Sequence, residues 1–425
     1  MAAPKQNSEL KEQLRAKFLG KTLNEVPTPS VILDLAKVEV NCERMLEATE
    51  RLGLLWRAHI KSHKVLFSFP LFPSALPRLA TFTHVLGPGT LSLMIDHPSQ
   101  LTTLTAHPLP HPPQIFLKID TSYGRAGVPP HTPACSALIA AALEAERRGV
   151  CSLLGIYSHA GHSYAAREGV EDVLGYLADE FRGLAGVARE IVAVRGGAAG
   201  AGGEKKRLVL SVGATPTATV VQQEGVFSSS SGGGEVGRLV GELKGEGFAL
   251  EVHAGVYPTL DMQQLATHAR DASLMTADDI AISVLAEVAS LYPGRGANGT
   301  TEALINAGTL ALGREPVADK GKVPGEAYAG WGFIMPWGLD NPVPGPDFPR
   351  VHDGWRVGRI SQEHGILTWQ GNGDEVPLQY GQRVRVWPNH SCIAGSGFDW
   401  YLIVDSRNKG RESEVVDVWP RWHGW

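Results

Sequence analysis

Apolar runs recur along the chain as far as Tyr257, and each ends in polar or glycine-rich sequence. Residues 91–95 close on Asp96-His97-Pro98, residues 114–119 on Asp120, and residues 151–156 on Tyr157-Ser158-His159. Residues 208–212 run into Gly213-Ala214-Thr215-Pro216-Thr217, and residues 248–252 into His253-Ala254-Gly255-Val256-Tyr257. Short, continuous apolar runs suit strands buried on both faces, as in a parallel sheet. Polar loops after the strands are what the C-terminal mouth of a (β/α)8 barrel requires, because its chemistry sits there. A doubly wound sheet shares the pattern but favours G-x-G-x-x-G after its first strand, where this chain has none. The spacing predicts an α/β fold, a TIM-type (β/α)8 barrel.

Residues 31–33 form an earlier apolar run, and Asp34 is placed to cap a following helix. Leu35, Val38, Cys42, Met45, Leu46 and Leu52 keep helical spacing up to Gly53, a natural stop. Strand, helix, strand in that order predicts that residues 31–33 open the barrel domain. After about residue 280 helical spacing fades, and strand-like runs alternate with Gly/Pro-rich turns, which predicts a β-rich second domain. The expected division is an N-terminal extension (1–27), the barrel (28–275) and the β-rich domain (276–425). Two low-complexity inserts, residues 196–206 and 228–237, read as flexible surface loops.

A chain of 425 residues is long for one core, in keeping with two domains. Charged residues make up 20% and the net charge is -5, which argues against a nucleic-acid binder with its basic stripe. The charged N-terminus lacks the apolar stretch of a secretory signal, and no apolar run approaches the roughly 18 residues of a membrane span. Cys42, Cys135, Cys151 and Cys392 have no framework spacing, which predicts reduced thiols in the cytoplasm.

Residues 56–64, W-R-A-H-I-K-S-H-K, read as an extended strand with Arg57, His59, Lys61 and His63 on one face. Such a row either makes a solvated edge strand, or holds an anion and lowers the pKa of a lysine able to form a Schiff base. Gly213-Ala214-Thr215-Pro216-Thr217 is either a plain turn or a phosphate cradle, which Gly255-Val256-Tyr257 could complete from the next loop. In an extended segment His390 and Cys392 face the same way, as zinc ligands or as a buried cysteine beside a surface histidine. Residues 157–164, Y-S-H-A-G-H-S-Y, line a pocket or form a hydrogen-bonded turn.

W-R-A-H-I-K-S-H-K, Y-S-H-A-G-H-S-Y, S-V-G-A-T-P-T, E-V-H-A-G-V-Y, S-Q-E-H-G and P-N-H-S-C follow one another between residues 28 and 404. Together they resemble the eukaryotic D-serine dehydratases, a family in the alanine-racemase-like, fold-type III group of pyridoxal-phosphate enzymes. The resemblance implies a barrel carrying pyridoxal 5'-phosphate, a β-domain carrying Zn2+, and a homodimer acting on a small D-amino acid, with no membrane or nucleic-acid partner. It makes Lys61 the Schiff-base lysine, with His59 beside it. Gly213, Ala214, Thr215, Gly255 and Tyr257 become the phosphate-binding residues, and His390 and Cys392 the zinc ligands. Arg125, in K-I-D-T-S-Y-G-R-A-G, and Tyr157 fall around the cofactor ring.

The implied reaction is β-elimination of D-serine to pyruvate and ammonia. Its rivals are dehydration of D-threonine or threo-3-hydroxyaspartate, and aldol cleavage. The last is disfavoured because the similar D-threonine aldolases carry aspartate where Cys392 stands, and a thiolate selects zinc over harder metals. A non-catalytic cofactor carrier would have no use for His390 and Cys392; an inactive truncated form would bind no cofactor.

The chain departs from the family after Lys64, which joins almost directly the segment at residues 66–71. Roughly 30 residues are missing, about one βα unit of a barrel averaging ~250 residues. A closed barrel needs all its strands, since opening it exposes two edges. The expectation is therefore a barrel short of about one βα unit, unless a neighbouring segment fills the gap.

Overall fold

The computed structural model describes residues 4–59, 69–166, 169–197, 207–227, 233–317, 330–340, 344–345, 348–349, 352–371 and 373–421. Lys61 and His63 lie outside the described residues, as do most of the two low-complexity inserts. The described ends of those inserts are helical: Gly196 and Gly197 finish the helix Val170–Gly197, and residues 233–237 begin the helix Gly233–Gly245. For these residues the expectation of loop is corrected.

Strand β1 (Ser30–Asp34) is followed by seven strands of one parallel sheet. They are β2 (Leu55–Ala58), β3 (Phe69–Pro70), β4 (Ser92–Ile95), β5 (Gln114–Lys118), β6 (Ser152–Tyr157), β7 (Val209–Val212) and β8 (Ala249–Ala254). Their order in space is β2-β8-β7-β6-β5-β4-β3. Alternation along the strands sorts the side chains by face. Ile115, Leu117, Leu210, Val212, Leu250 and Val252 join the core against helices such as Pro133–Arg147 and Val170–Gly197. The intervening Phe116, Lys118, Val209, Ser211, Glu251 and His253 fall on the opposite, inner face, where Met94, Phe116, Tyr157 and Val209 form a small apolar cluster.

The gap in the sequence is visible in the sheet. β2 pairs with β8 and β3 with β4; among the described residues these two strands are its ends. An eighth strand would close the barrel between them, at the point where a βα unit is missing from the sequence. Leu55 on β2 is 48% exposed, as expected of an apolar residue on a strand that, among the described residues, ends the sheet.

The second domain contains β9 (Ile282–Tyr292), β10 (Glu302–Ile305), β11 (Gly332–Ile334), β12 (Gly354–Ile360), β13 (Gly365–Gln370), β14 (Arg383–Pro388), β15 (Trp400–Val404) and β16 (Asp417–Pro420). The order β10-β13-β12-β11-β14-β9 closes on itself through a β9–β10 pairing, giving a β-barrel of antiparallel pairs around Trp355, Val357, Val384 and Val386.

β1 belongs here and not to the parallel sheet. It lies between β9 and β15, with Val31 and Leu33 in one apolar cluster and Ile32 in another. Being apolar on both faces, it fits an interior position of either sheet, so its local sequence could not assign it. Asp34 stands at the N-cap of the helix Leu35–Arg51 as expected, but its side chain makes no capping bond; its carboxylate accepts hydrogen bonds from the Ser406 amide and hydroxyl at 3.2 and 3.1 Å.

Candidate active site at the mouth of the parallel sheet

The inner face carries a chain of polar contacts ending in a stack of rings. Arg57 donates to Glu251 from Nε and Nη2 at 2.6 and 3.0 Å. The Ser211 hydroxyl donates to Glu251 at 2.7 Å and stands 2.9 Å from His253 Nδ1. Arg57 therefore has a carboxylate partner, and the expected row of free cations does not start with it. With Ser211 donating to Glu251, His253 Nδ1–H donates to Ser211, which leaves Nε2 as an acceptor. Nε2 is buried and, among the described residues, has no hydrogen-bond partner.

The His253 ring stacks on His59 at 4.6 Å and on Tyr157 at 4.1 Å, and His59 Nε2 lies 3.3 Å from the Tyr157 hydroxyl. Burial holds the His253 imidazole well below its ordinary pKa, and the neighbouring His59 acts in the same direction. Burial likewise keeps the Tyr157 hydroxyl well above its usual range.

Lys118 places its ammonium 4.3 Å from the centre of the Tyr157 ring. Burial pulls its pKa down to about 7, against the opposing charge of Glu180. Between about 7 and the ordinary lysine value near 10.4, the unfolded chain binds the proton more tightly than the folded one. Lys118 should therefore make stability rise with pH across that window. Lys118→Met should flatten the rise in denaturation midpoints measured from pH 7 upward; parallel curves for the two proteins would contradict it.

The loops after β6, β7 and β8 meet beside this stack. Gly213 has φ +141, and a Cβ there would collide with the His253 carbonyl, so this close approach of two loops requires glycine. The Gly213 amide donates to Glu180 at 3.2 Å, the Ala214 amide to the Thr217 hydroxyl at 2.8 Å, and the Val256 amide to the Thr215 hydroxyl at 3.2 Å. His159 Nδ1 is 2.7 Å from the Gly213 carbonyl. His59, Tyr157, Gly213, Ala214, Thr215 and Gly255 are thus gathered at one place.

Two of the residues singled out from the sequence stand apart from this group. Arg125 is exposed, with its guanidinium 5.1 Å from the ring centre of Tyr123, which in turn meets His159 at 5.9 Å. Tyr257 packs edge-on against Trp56 at 4.8 Å, and burial raises its pKa to about 12 with Cys42 acting in the same direction.

His390 and Cys392 face the same region from the second domain. They are not in an extended segment: His390 precedes the short helix Ser391–Ser396, and Cys392 sits in its first turn. The chain turns after Pro388 because Asn389 donates to the carbonyls of Glu315 and Gly330, both at 2.9 Å. The two side chains remain close enough for Cys392 to act on the His390 imidazole. Burial lowers the His390 pKa, but Cys392 and Asp261 outweigh it and leave it raised.

The loop after β8 docks on this turn. Asp261, fully buried, accepts from the Ser391 amide at 2.9 Å and lies 3.7 Å from His390 Nδ1. Gln263 Oε1 is 2.5 Å from the same nitrogen. Tyr164 hydrogen-bonds Thr215, and burial together with Asp261 raises its pKa. Among the described residues, no group of three His, Cys, Asp or Glu side chains is placed to hold a metal. Glu180, Lys118, Asp261 and Gln263 were not singled out from the sequence. The only signal was that Lys118 shares the K-I-D run with Arg125 and that Asp261 follows the Gly255-Val256-Tyr257 stretch.

Two family profiles match the chain: "Alanine racemase, N-terminal domain" over residues 74–223 and "Putative serine dehydratase domain" over residues 281–404. The D-serine dehydratase of Schizosaccharomyces pombe is 32% identical, over 98% of this chain and 96% of its own. The chain belongs to the D-serine dehydratase family. The family is alanine-racemase-like, within the fold-type III pyridoxal-phosphate enzymes. The D-serine dehydratase of Saccharomyces cerevisiae is 26% identical, over 96% of this chain and 99% of its own. The alignment with the S. pombe member runs over 462 residues, more than the 425 of this chain, so that family member has residues with no counterpart here.

Among solved structures, the D-threo-3-hydroxyaspartate dehydratase from Delftia sp. HT23 superposes with a TM-score of 0.68 at 23% identity, covering 95% of this chain and all of its own. D-threonine aldolase from Filomicrobium marinum gives 0.65 at 19%, covering 95% and 97%. Both share the fold. Two further structures of D-threo-3-hydroxyaspartate dehydratase are a cysteine-to-alanine mutant in the metal-free form and a histidine-to-alanine mutant, the histidine standing two positions before the cysteine. Among the described residues of this chain no helix is long and apolar enough to cross a membrane.

Proposed function

We propose that this chain is a lyase that eliminates water from D-serine, using pyridoxal 5'-phosphate on Lys61 and zinc on His390 and Cys392. The observation that carries the reading is the docking of the β8 loop, through Asp261 and Gln263, onto the His390 turn. The loop that follows His253 of the ring stack thereby reaches the turn that carries the thiol–imidazole pair, which supports reading the two as one site.

The residues present fit both groups. For the cofactor, the loop at Gly213 tolerates no side chain, and His253 Nε2 is a buried acceptor without a partner among the described residues, beside flat ring surfaces. For the metal, an imidazole and a thiol make a soft donor pair suited to zinc, with positions left for water or substrate. The relatives' histidine and cysteine, two positions apart, have the spacing of His390 and Cys392.

When bound, pyridoxal phosphate supplies the electron sink for deprotonation at Cα, and zinc the Lewis acid that helps hydroxide leave. Lys61 tethers the cofactor and takes the Cα proton. His59 and Tyr157, stacked with neutral His253, wall the ring. The Gly213, Ala214 and Thr215 loop, with Gly255, seats the phosphate, while Arg125 and Tyr257 bound the site from farther out. Gln263 Oε1 accepts a hydrogen bond from His390 Nδ1–H, which leaves Nε2 for the metal. The released enamine hydrolyses to pyruvate and ammonia. We read the protein as a cytoplasmic homodimer, divided near residue 275.

Gln263→Ala should weaken zinc binding about 10- to 100-fold, the usual cost of removing the partner that orients a ligand histidine. Competition with a chelator measures it, and unchanged affinity would remove Gln263 from this role. D-threo-3-hydroxyaspartate is the second substrate to compare, because a relative named for that activity is 26% identical over 95% of this chain. D-serine should give the higher kcat/KM for product release; the opposite ranking would reassign the substrate within the same reaction.

A further inference from the structure

Glu180 belongs to a helix packed on the outer face of the sheet, yet its side chain is fully buried beneath the loops at the mouth. Donors from two loops converge on it. The Ser158 hydroxyl at 2.5 Å and the Ala160 amide at 3.0 Å come from the loop after β6. The Gly213 amide at 3.2 Å and the Thr217 hydroxyl at 3.3 Å come from the loop after β7. The Ala160 and Gly213 amides can only donate, so Glu180 Oε1 acts as an acceptor. Burial raises its pKa, and the bonds from Ser158 and Gly213 and the charge of Lys118 oppose that rise.

The two loops carry different parts of the site. One follows directly on Tyr157, in the ring stack, and carries His159; the other is the glycine turn at Gly213. We propose that Glu180 is a positioning residue, which clamps the ring-walling loop and the phosphate-seating loop at the separation the cofactor needs. The proposal rests on the pyridoxal-phosphate reading above. It assigns Glu180 no contact with substrate or cofactor.

The geometry separates reach from charge. Ser158, Ala160 and Gly213 all donate to the same oxygen, Oε1. An amide oxygen offers the same two lone pairs as one carboxylate oxygen, so it can take the same three donors by the same sharing, and the Thr217 hydroxyl has an alternative acceptor in the Ala214 carbonyl at 3.3 Å. Glu180→Gln therefore keeps the clamp. Glu180→Asp keeps the charge but is one methylene shorter, and it cannot hold both loops where they stand.

The test titrates the full-length chain with pyridoxal 5'-phosphate and, separately, with pyridoxal, which lacks the phosphate. Thermal midpoints without cofactor check that each variant is folded. The wild type should prefer the phosphorylated form, and Glu180→Gln should keep that preference within about threefold. Glu180→Asp should lose roughly tenfold or more of it, as expected when a buried hydrogen-bond partner is withdrawn, while pyridoxal affinity holds within about threefold. If Glu180→Asp does not fold, Ser158→Ala, which removes the shortest bond to Glu180 and leaves the contacts within the Gly213 loop intact, should lower the preference in the same direction. An unchanged preference in the folded Asp or Ala variant overturns the proposal. So does an equal loss of both affinities with a lower midpoint, which marks a purely structural residue. A wild type that binds neither compound sinks the cofactor reading itself, a result distinct from a wild type with the preference and a variant that keeps it.

Discussion

Replacing Lys61 with alanine should abolish the visible absorbance of lysine-bound pyridoxal phosphate and stop pyruvate formation from D-serine. The lysine has two duties in the proposed reaction, tethering the cofactor and accepting the Cα proton. The second duty alone, general-base catalysis by a positioned side chain, contributes typically 10²- to 10⁴-fold, so the combined loss should exceed about a thousandfold. Lys61 lies outside the described residues, but His59, two positions earlier, is in the ring stack at the mouth. A Lys61→Ala protein with a rate within tenfold of wild type would place the chemistry on another residue. Lys118, buried and with its pKa pulled down to about 7, would be the first to examine.

The second large effect should follow from His390→Ala or Cys392→Ala. Hydroxide is a poor leaving group, and Lewis-acid assistance is worth several kcal/mol of charge stabilisation. Among the described residues His390 and Cys392 are the two donors the proposal names, and loss of either leaves a single one of them, too few to retain the ion. Each variant should lose its bound zinc, measured by elemental analysis. Pyruvate formation should fall at least about a hundredfold, while the absorbance of the lysine-bound cofactor stays in place. Chelation of the wild type should reproduce that split and added zinc should reverse it. Full zinc content in both variants, or an undiminished rate without zinc, would contradict the assignment.

The parts legible in the sequence were those whose signal is local. Runs at residues 91–95, 114–119, 151–156, 208–212 and 248–252 are the strands β4 to β8, since apolar stretches of that length between polar loops have few other uses. Gly213 could be flagged from its turn chemistry, and the structure adds the reason that only glycine fits against the His253 carbonyl. The missing βα unit could be located by setting the spacing after Lys64 against the family's pattern, and among the described residues the sheet ends at the corresponding strands, β2 and β3.

What escaped the sequence depends on partners far along the chain. β1 sits in the second domain because β9 and β15 supply its neighbours, some 250 and 370 residues away in sequence by the pairing of Ile32 with Ser283 and Leu402. Asp34 stands at the expected helix cap, but Ser406 takes its carboxylate. Glu180 is one acidic residue in a long helix; only its burial beneath two loops distinguishes it. Arg57 looks like one of a row of cations until Glu251 of the adjacent strand pairs with it.

The central claim is that a parallel sheet one βα unit short of a barrel still assembles this site. The most direct test adds D-serine to the purified full-length chain, supplied with excess pyridoxal phosphate and zinc, and follows cofactor absorbance and pyruvate together. The account predicts uptake of the cofactor and release of pyruvate that ceases on chelation. A folded chain that takes up no cofactor and releases no pyruvate would mean that the open edge between β2 and β3 prevents the site from forming, whatever its motifs.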